Sequence, residues 1–300
     1  MISFPSTMVR GVFKLVTVRR FSMLQHGQSS SAIIFGSNTG VGKTIVSTGL
    51  SIAALRSGRK VCYIKPIQTG EMDQFFVQFY TNPEGVSDIH FRTLNHWQSG
   101  LDGPDDKSIG PDKDIVESVM QELRTFESLA HSPTGTESTA KSQKARFSVV
   151  ETVGGVLSPG PNHTLQADVY KQLNRTNVIL VGDSGLGGIG GTLCAMEALQ
   201  RRGYTAKALV FIDKPNSQVL KNANHVQNAL LRGFLDSVYS RPVVPSNTTD
   251  TTVIEKREGE SRAELPVIVT LSTLPQNSSH LLNSWFKANE SGFLSLFQAL

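Results

Sequence analysis

Residues Ser31 to Leu50, SAIIFGSNTGVGKTIVSTGL, constrain the chain more than any other stretch, because they run a short apolar strand into a glycine-rich turn and then a helix. Gly36, Gly40 and Gly42 let backbone N–H groups converge on one anion, and the helix adds the positive end of its dipole. Lys43 supplies a charge that reaches the outer phosphates of a nucleotide, and Thr44 sets a hydroxyl where a phosphate-bound Mg²⁺ takes an oxygen ligand. A strand that opens such a turn belongs to an α/β domain, a P-loop-type, mostly parallel sheet with helices on both faces. Five residues separate Gly36 from Gly42, where the usual phosphate loop has four. A surface turn that merely contains Gly and Lys would not bring strand, turn and helix in this order.

The 300 residues are 39% hydrophobic, enough for one sizeable domain without staples. The net charge of +4 is less informative than its distribution: no Asp or Glu precedes Glu71, while Arg10, Lys14, Arg19 and Arg20 crowd the start. Residues 1–30 therefore read as a mitochondrial transit peptide, and a matrix protein is expected; a disordered cytosolic tail is the alternative. Residues 31–300 read as one domain with loop insertions at 101–113, 131–145 and 246–264. No further basic stripe is interleaved with aromatics, so nucleic acid is not an expected partner. No apolar run approaches bilayer length, so neither is a membrane. Cys62 and Cys194 both sit in apolar sequence and are expected to be buried, reduced thiols. The histidines show no zinc-type spacing.

Beyond the loop, Lys43 to Arg56 reads as a helix closed by Ser57-Gly58, and VCYIKPIQTG, Val61 to Gly70, as a buried strand. As a βαβ unit these would bring the second strand's end beside the phosphate loop. Lys65 then lands near the phosphates, with Gln68 and Thr69 on the same rim. A short helix is expected over Asp73–Tyr80, where Asp73 is either its cap or a metal ligand, followed by a turn at Asn82 to Gly85. Asp114–Ala130 carries Ile115, Val116, Val119, Met120, Leu123 and Phe126 on one helical stripe. Phe147–Val150 reads as a buried strand with Glu151 at its carboxyl end, where a carboxylate needs a cation and phosphate-bound Mg²⁺ is the candidate.

Asn177–Asp183 is another buried strand, and it empties into SGLGGIGGT, which contains G-x-G-x-x-G at Gly185, Gly187 and Gly190. A dinucleotide site would also need an acid at the next strand's end, for which only Asp213 is placed. The segment reads better as a second helix start able to hold a carboxylate or phosphate. Ala206–Ile212 and Pro266–Leu271 are strands, Gln218–Gly233 and Leu281–Ala288 helices, and Pro242–Val244 a short strand. The closing GFLSLFQAL is apolar without a polar cap, and a partner surface or more chain is expected there.

FGSNTGVGKT, YIKPIQTG, VVETVGGVLSPGP and VILVGDSGLGGIGGT together resemble the dethiobiotin synthetases, in particular the first half of bifunctional eukaryotic enzymes that continue into an aminotransferase. The resemblance implies conversion of 7,8-diaminopelargonate, CO₂ and MgATP into dethiobiotin, ADP and phosphate, on a homodimer. It implies a phosphate cradle of Gly36, Thr39, Gly40, Val41, Gly42, Lys43 and Thr44, with Lys43 neutralising the transferred phosphoryl group. It implies Mg²⁺ ligation by Thr44, Asp73 and Glu151, with Asp88 a competitor for Asp73 because the family's Ser-Asp-Ala is here Met-Asp-Gln. Lys65 and Thr69 would hold the carbamate, and Gly188, Ile189 and Gly190 the substrate's distal carboxylate across the dimer. In the adenine region the chain has Ile212-Asp213 where the family often has Asn-Asp, which leaves Asp213 as the base contact. The family's Ser-Pro-His-Ala-Ala-like segment has no counterpart between Trp97 and Asp114. A partitioning-type ATPase and a catalytically silent nucleotide binder are the alternative readings.

Overall fold

The structure, a computed structural model, describes residues 29–82, 88–97, 110–129, 144–173, 176–213, 266–275 and 279–300. The leader up to residue 28, the turn after Asn82, residues 101–109, 131–143 and 246–264 of the loop insertions, the expected elements at 218–233 and 242–244, and residues 98–109 of the region sought for a Ser-Pro-His segment lie outside these residues, whereas Ser30 already belongs to a strand and Asp112 and Lys113, expected in a loop, already belong to a helix.

The described residues build one sheet of seven parallel strands in the order β3-β2-β4-β1-β5-β6-β7. The strands are β1 (Ser30–Gly36), β2 (Lys60–Gln68), β3 (Ile89–His96), β4 (Arg146–Glu151), β5 (Asn177–Val181), β6 (Ala206–Ile212) and β7 (Val267–Leu271). One face is covered by α1 (Lys43–Arg56), α2 (Asp73–Thr81), α6 (Ser279–Ala288) and α7 (Glu290–Gln298), around a core that includes Ile34, Leu50, Tyr63, Val149 and Phe293. The other face is covered by α3 (Asp112–Ser128), α4 (Gln166–Val169) with the 3₁₀ turn that follows it, and α5 (Gly188–Arg201), around Phe35, Ile64, Val119, Tyr170 and Leu180. Burial on both faces explains the near-continuous apolar runs of β1 and β5.

Three expectations change. β4 lies between β1 and β2, pairing Ile34 with Glu151 on one side and Ile64 with Val150 on the other, so the end of β2 is one strand removed from the loop. β3 was not expected: it is the edge strand, only its first residue is buried, and the alternation that Ile89, His90, Phe91 and Arg92 begin is inverted at Leu94 and Asn95. The apolar terminus is α7, which turns Phe293, Leu296 and Phe297 inward against the α1 face of the core. Much of it is therefore covered by its own domain.

Candidate active site

All seven strands end at the same edge, and the site is built there. β1 stops at Gly36, the chain turns through Gly40 and Gly42 at φ 71° and 101°, and α1 begins at Lys43. Only residues without Cβ strain take that left-handed geometry readily. Gly42 is further fixed from behind, since a Cβ there would lie 2.5 Å from Ile212 Cδ1. Thr39 is exposed and its N–H donates to Asn38 Oδ1, while Val41 is buried beneath the loop. Lys43 Nζ donates to Gly154 O at 2.6 Å, which draws the loop after β4 over the loop after β1. Burial lowers its ammonium to about 8, Lys65 pushes the same way, and Glu151 and Asp73 oppose.

Glu151, the last residue of β4, is buried. Its Oε1 lies 2.8 Å from Thr44 Oγ1 and 2.8 Å from Lys65 Nζ; its Oε2 accepts from Ser47 Oγ at 2.7 Å and Tyr63 OH at 3.1 Å. The cation that meets this carboxylate in the protein itself is therefore Lys65. Tyr63 and Lys65 share one face of β2, two residues apart, and the register with β4 carries that face to Glu151. Burial pushes the Lys65 ammonium down, but Glu151 and Asp73 more than reverse this and hold it above its ordinary 10.5. Burial and the same carboxylates raise the Tyr63 phenol well above its ordinary range.

Asp73 opens α2, and its carboxylate lies 3.1 Å from Thr44 Oγ1 and 2.7 Å from Lys65 Nζ. It is held in place by Gln68, whose Oε1 accepts the Asp73 N–H at 3.2 Å and whose amide also donates to the carbonyls of Thr69 and Glu71. Asp88 lies at the opposite, amino-terminal edge: its carbonyl accepts from Val61 N–H at the start of β2, and its carboxylate pairs with exposed Lys144 at 2.6 Å.

The structure thus gathers Lys43, Thr44, Lys65, Asp73 and Glu151, and leaves Asp88 out. Two carboxylates and a hydroxyl are hard oxygen donors that suit Mg²⁺, which commonly completes its shell with phosphate and water. No group of three or more His, Cys, Asp or Glu side chains suited to a metal occurs among the described residues. Thr69 is half-buried just past β2. Gly188, Ile189 and Gly190 start α5 beyond β5. A Cβ on Gly188 would meet Asp183 O at 2.0 Å, so that glycine answers a packing demand, whereas Gly190 faces open space. Asp213 follows the last residue of β6, its N–H bonded to Leu271 O and its carboxylate accepting from Thr273 Oγ1 at 2.8 Å. Cys194 departs from expectation: it is exposed on α5, while Cys62 is buried in β2.

Ser47 and Tyr63 are the site residues that sequence reading passed over. A signal existed for each. Ser47 follows Thr44 by three residues on one helix face, and Tyr63 precedes Lys65 by two on one strand face.

A family model described as an AAA domain matches residues 31–276. The bifunctional dethiobiotin synthetase/adenosylmethionine-8-amino-7-oxononanoate aminotransferase of Emericella nidulans is 35% identical over 59% of this chain and 21% of that protein. The mitochondrial bifunctional dethiobiotin synthetase/7,8-diamino-pelargonic acid aminotransferase of Arabidopsis thaliana is 29% identical over 79% of this chain and 34% of its own length. The chain thus spans 21% and 34% of the length of these two relatives. The ATP-dependent dethiobiotin synthetase BioD of Caldicellulosiruptor bescii is 30% identical over 60% of this chain and 72% of that protein. Among solved structures, the MinC:MinD cell division protein complex of Aquifex aeolicus aligns with a TM-score of 0.43 at 11% identity, over 68% of this chain and 78% of that one, too distant to inform the site. With the AAA domain matched across the phosphate loop, Lys65 and Glu151, the chain belongs to the AAA domain family and, within it, to the dethiobiotin synthetases.

Proposed function

We propose that the chain catalyses ATP-dependent ring closure of 7,8-diaminopelargonate with CO₂ to give dethiobiotin, ADP and phosphate. The observation that carries this reading is the convergence of Lys43, Lys65, Thr44, Asp73 and Glu151 beside one glycine-rich loop, in a chain that belongs to the synthetase family. One amine of the diamine takes up CO₂ as a carbamate. The carbamate oxygen accepts the γ-phosphoryl group and ADP leaves; the second amine then attacks the carbonyl carbon and expels phosphate. No covalent enzyme intermediate is required, so the protein contributes alignment and charge.

Each residue has a part in that scheme. The cradle of Gly36 to Thr44 holds the triphosphate, and Lys43 offsets charge on the transferred group. Thr44, Asp73 and Glu151 hold Mg²⁺, whose chemistry there is neutralisation of phosphate charge. Lys65 and Thr69 hold the carbamate. Gly188 to Gly190 receive the distal carboxylate at the start of α5, with a second copy completing the site, and Asp213 lies toward the base. The Arabidopsis relative's name supports a mitochondrial setting, and the names of both bifunctional relatives support a neighbouring aminotransferase.

The test is phosphate release from MgATP, with diaminopelargonate and bicarbonate omitted in turn. Release that needs both is expected. Release that ignores both sinks the synthetase reading and favours a partitioning-type ATPase. Lys43→Ala is expected to abolish turnover with the fold kept, and unchanged turnover would remove the loop from the mechanism.

A further inference from the structure

Glu151 uses its two carboxylate oxygens differently. Oε1 accepts from Thr44 Oγ1 and Lys65 Nζ, each at 2.8 Å, and both donors belong to the candidate site itself, Thr44 as a cation ligand and Lys65 as a substrate-binding group. Oε2 faces the body of the domain, where Ser47 Oγ donates at 2.7 Å and Tyr63 OH at 3.1 Å. Both donors are fully buried. They come from different elements, Ser47 from the second turn of α1 and Tyr63 from the middle of β2, so they fix the carboxylate against two rigid parts of the fold. A buried hydroxyl aimed at a carboxylate oxygen is not there to cover surface: a Phe at 63 or an Ala at 47 would keep the apolar part of each side chain in place without a polar atom to satisfy.

We propose that Ser47 and Tyr63 are positioning residues that hold Glu151 so that it offers Oε1 alone to the divalent cation, and that this restricts the site to Mg²⁺ over Ca²⁺. The proposal rests on the reading of Glu151 as a metal ligand, but not on the identity of the diamine. Mg²⁺ requires near-octahedral geometry and is served by one oxygen per carboxylate, whereas Ca²⁺ accepts more ligands and takes carboxylates in bidentate fashion. With Oε2 engaged by two donors, bidentate binding by Glu151 would cost both hydrogen bonds. Removing the donors frees Oε2, so Mg²⁺ loses an oriented ligand and Ca²⁺ gains an oxygen.

The experiment measures nucleotide affinity by calorimetric titration of the whole chain with ATP in EDTA, Mg²⁺ or Ca²⁺, for wild type, Ser47→Ala, Tyr63→Phe and the double variant. Affinity in EDTA should be unchanged, since the cradle is untouched, and this also serves as the check on folding. The gain on adding Mg²⁺ should fall about 10- to 100-fold in the double variant, while the gain on adding Ca²⁺ is kept or rises. Ser47→Thr keeps a hydroxyl at 47 and should restore the Mg²⁺ gain. A Mg²⁺ gain that survives in the double variant overturns the proposal and leaves the metal reading intact. So does an equal fall for both cations, which would mean general loosening. A wild type whose affinity is indifferent to Mg²⁺ overturns the metal reading and this proposal together.

Discussion

Lys65 Nζ stands 2.8 Å from Glu151 Oε1, and both side chains are almost wholly out of water, 3% and 1% exposed. Neither charge is tolerable there alone, and Asp73 makes the ammonium common to two carboxylates. Removing one partner of a buried pair costs about 3–5 kcal/mol, because the other is left charged and desolvated. Lys65→Met is therefore expected to lower the unfolding free energy by about that much in metal-free buffer. Adding Glu151→Gln should recover part of the loss. Urea denaturation at neutral pH checks this, and a Lys65→Met loss below about 1 kcal/mol would show that water already screens the pair.

The two cysteines separate by environment. Burial pushes the Cys62 thiol up to about 12, whereas Cys194 is exposed. The native protein should yield one fast-reacting thiol to a disulfide reagent, absent in Cys194→Ser, and a second only on unfolding. The raised value also has a sign for stability. Above the unfolded thiol's pKa near 9.0 the unfolded chain has lost a proton that the folded chain keeps, up to about 12. The contribution from Cys62 is therefore fully present below pH 9 and lost as pH rises beyond it, by at most about 1.4 kcal/mol per pH unit. Melting curves between pH 8 and 10 should fall less steeply for Cys62→Val than for wild type.

Gly49 lets α7 approach α1 closely. A Cβ at that position would lie 2.1 Å from the Phe293 ring. Gly49→Ala is therefore expected to destabilise by about 1–3 kcal/mol through overpacking, despite alanine's better helix propensity. Pairing it with Phe293→Leu should cost less than the sum of the single changes. Additive losses in thermal or urea unfolding would mean that the helices move apart without resistance.

Local signals carried most of the fold. Gly36 to Thr44 announced the loop, and the apolar runs of β1, β4 and β5 announced a sheet covered on both faces. What stayed hidden depends on contacts far apart in sequence. Nothing within Ser30–Gln68 says that β4, about 80 residues further on, inserts between β1 and β2. Pattern defines strands, but their order is decided by which faces the helices can cover. The edge strand β3 is half-exposed and so carries no clean alternation. The same limit governed the site. Lys43, Thr44 and Glu151 were legible because glycine spacing and strand ends point to them. Ser47 and Tyr63 carried only their spacing from Thr44 and Lys65, since a helical serine and a strand tyrosine become donors to Glu151 only once α1 lies on β2 and β4.

Asp73 and Asp88 separate in the same way, since sequence spacing left either able to be the second carboxylate. Asp73 lies 3.1 Å from Thr44 Oγ1 and 2.7 Å from Lys65 Nζ, while Asp88 meets exposed Lys144 at the far edge of the sheet. A ligand to a phosphate-bound cation must stand at the loop edge, so Asp73→Asn should cut the Mg²⁺-dependent gain in ATP affinity at least about 10-fold and leave affinity in EDTA nearly unchanged. Asp88→Asn should leave both affinities alone and cost no more than about 1 kcal/mol of stability, as befits an exposed pair. Calorimetric titration with and without EDTA decides between them. Equal Mg²⁺ gains in Asp73→Asn and wild type would exclude Asp73 as a ligand and leave Thr44 and Glu151 to hold the cation with phosphate and water alone.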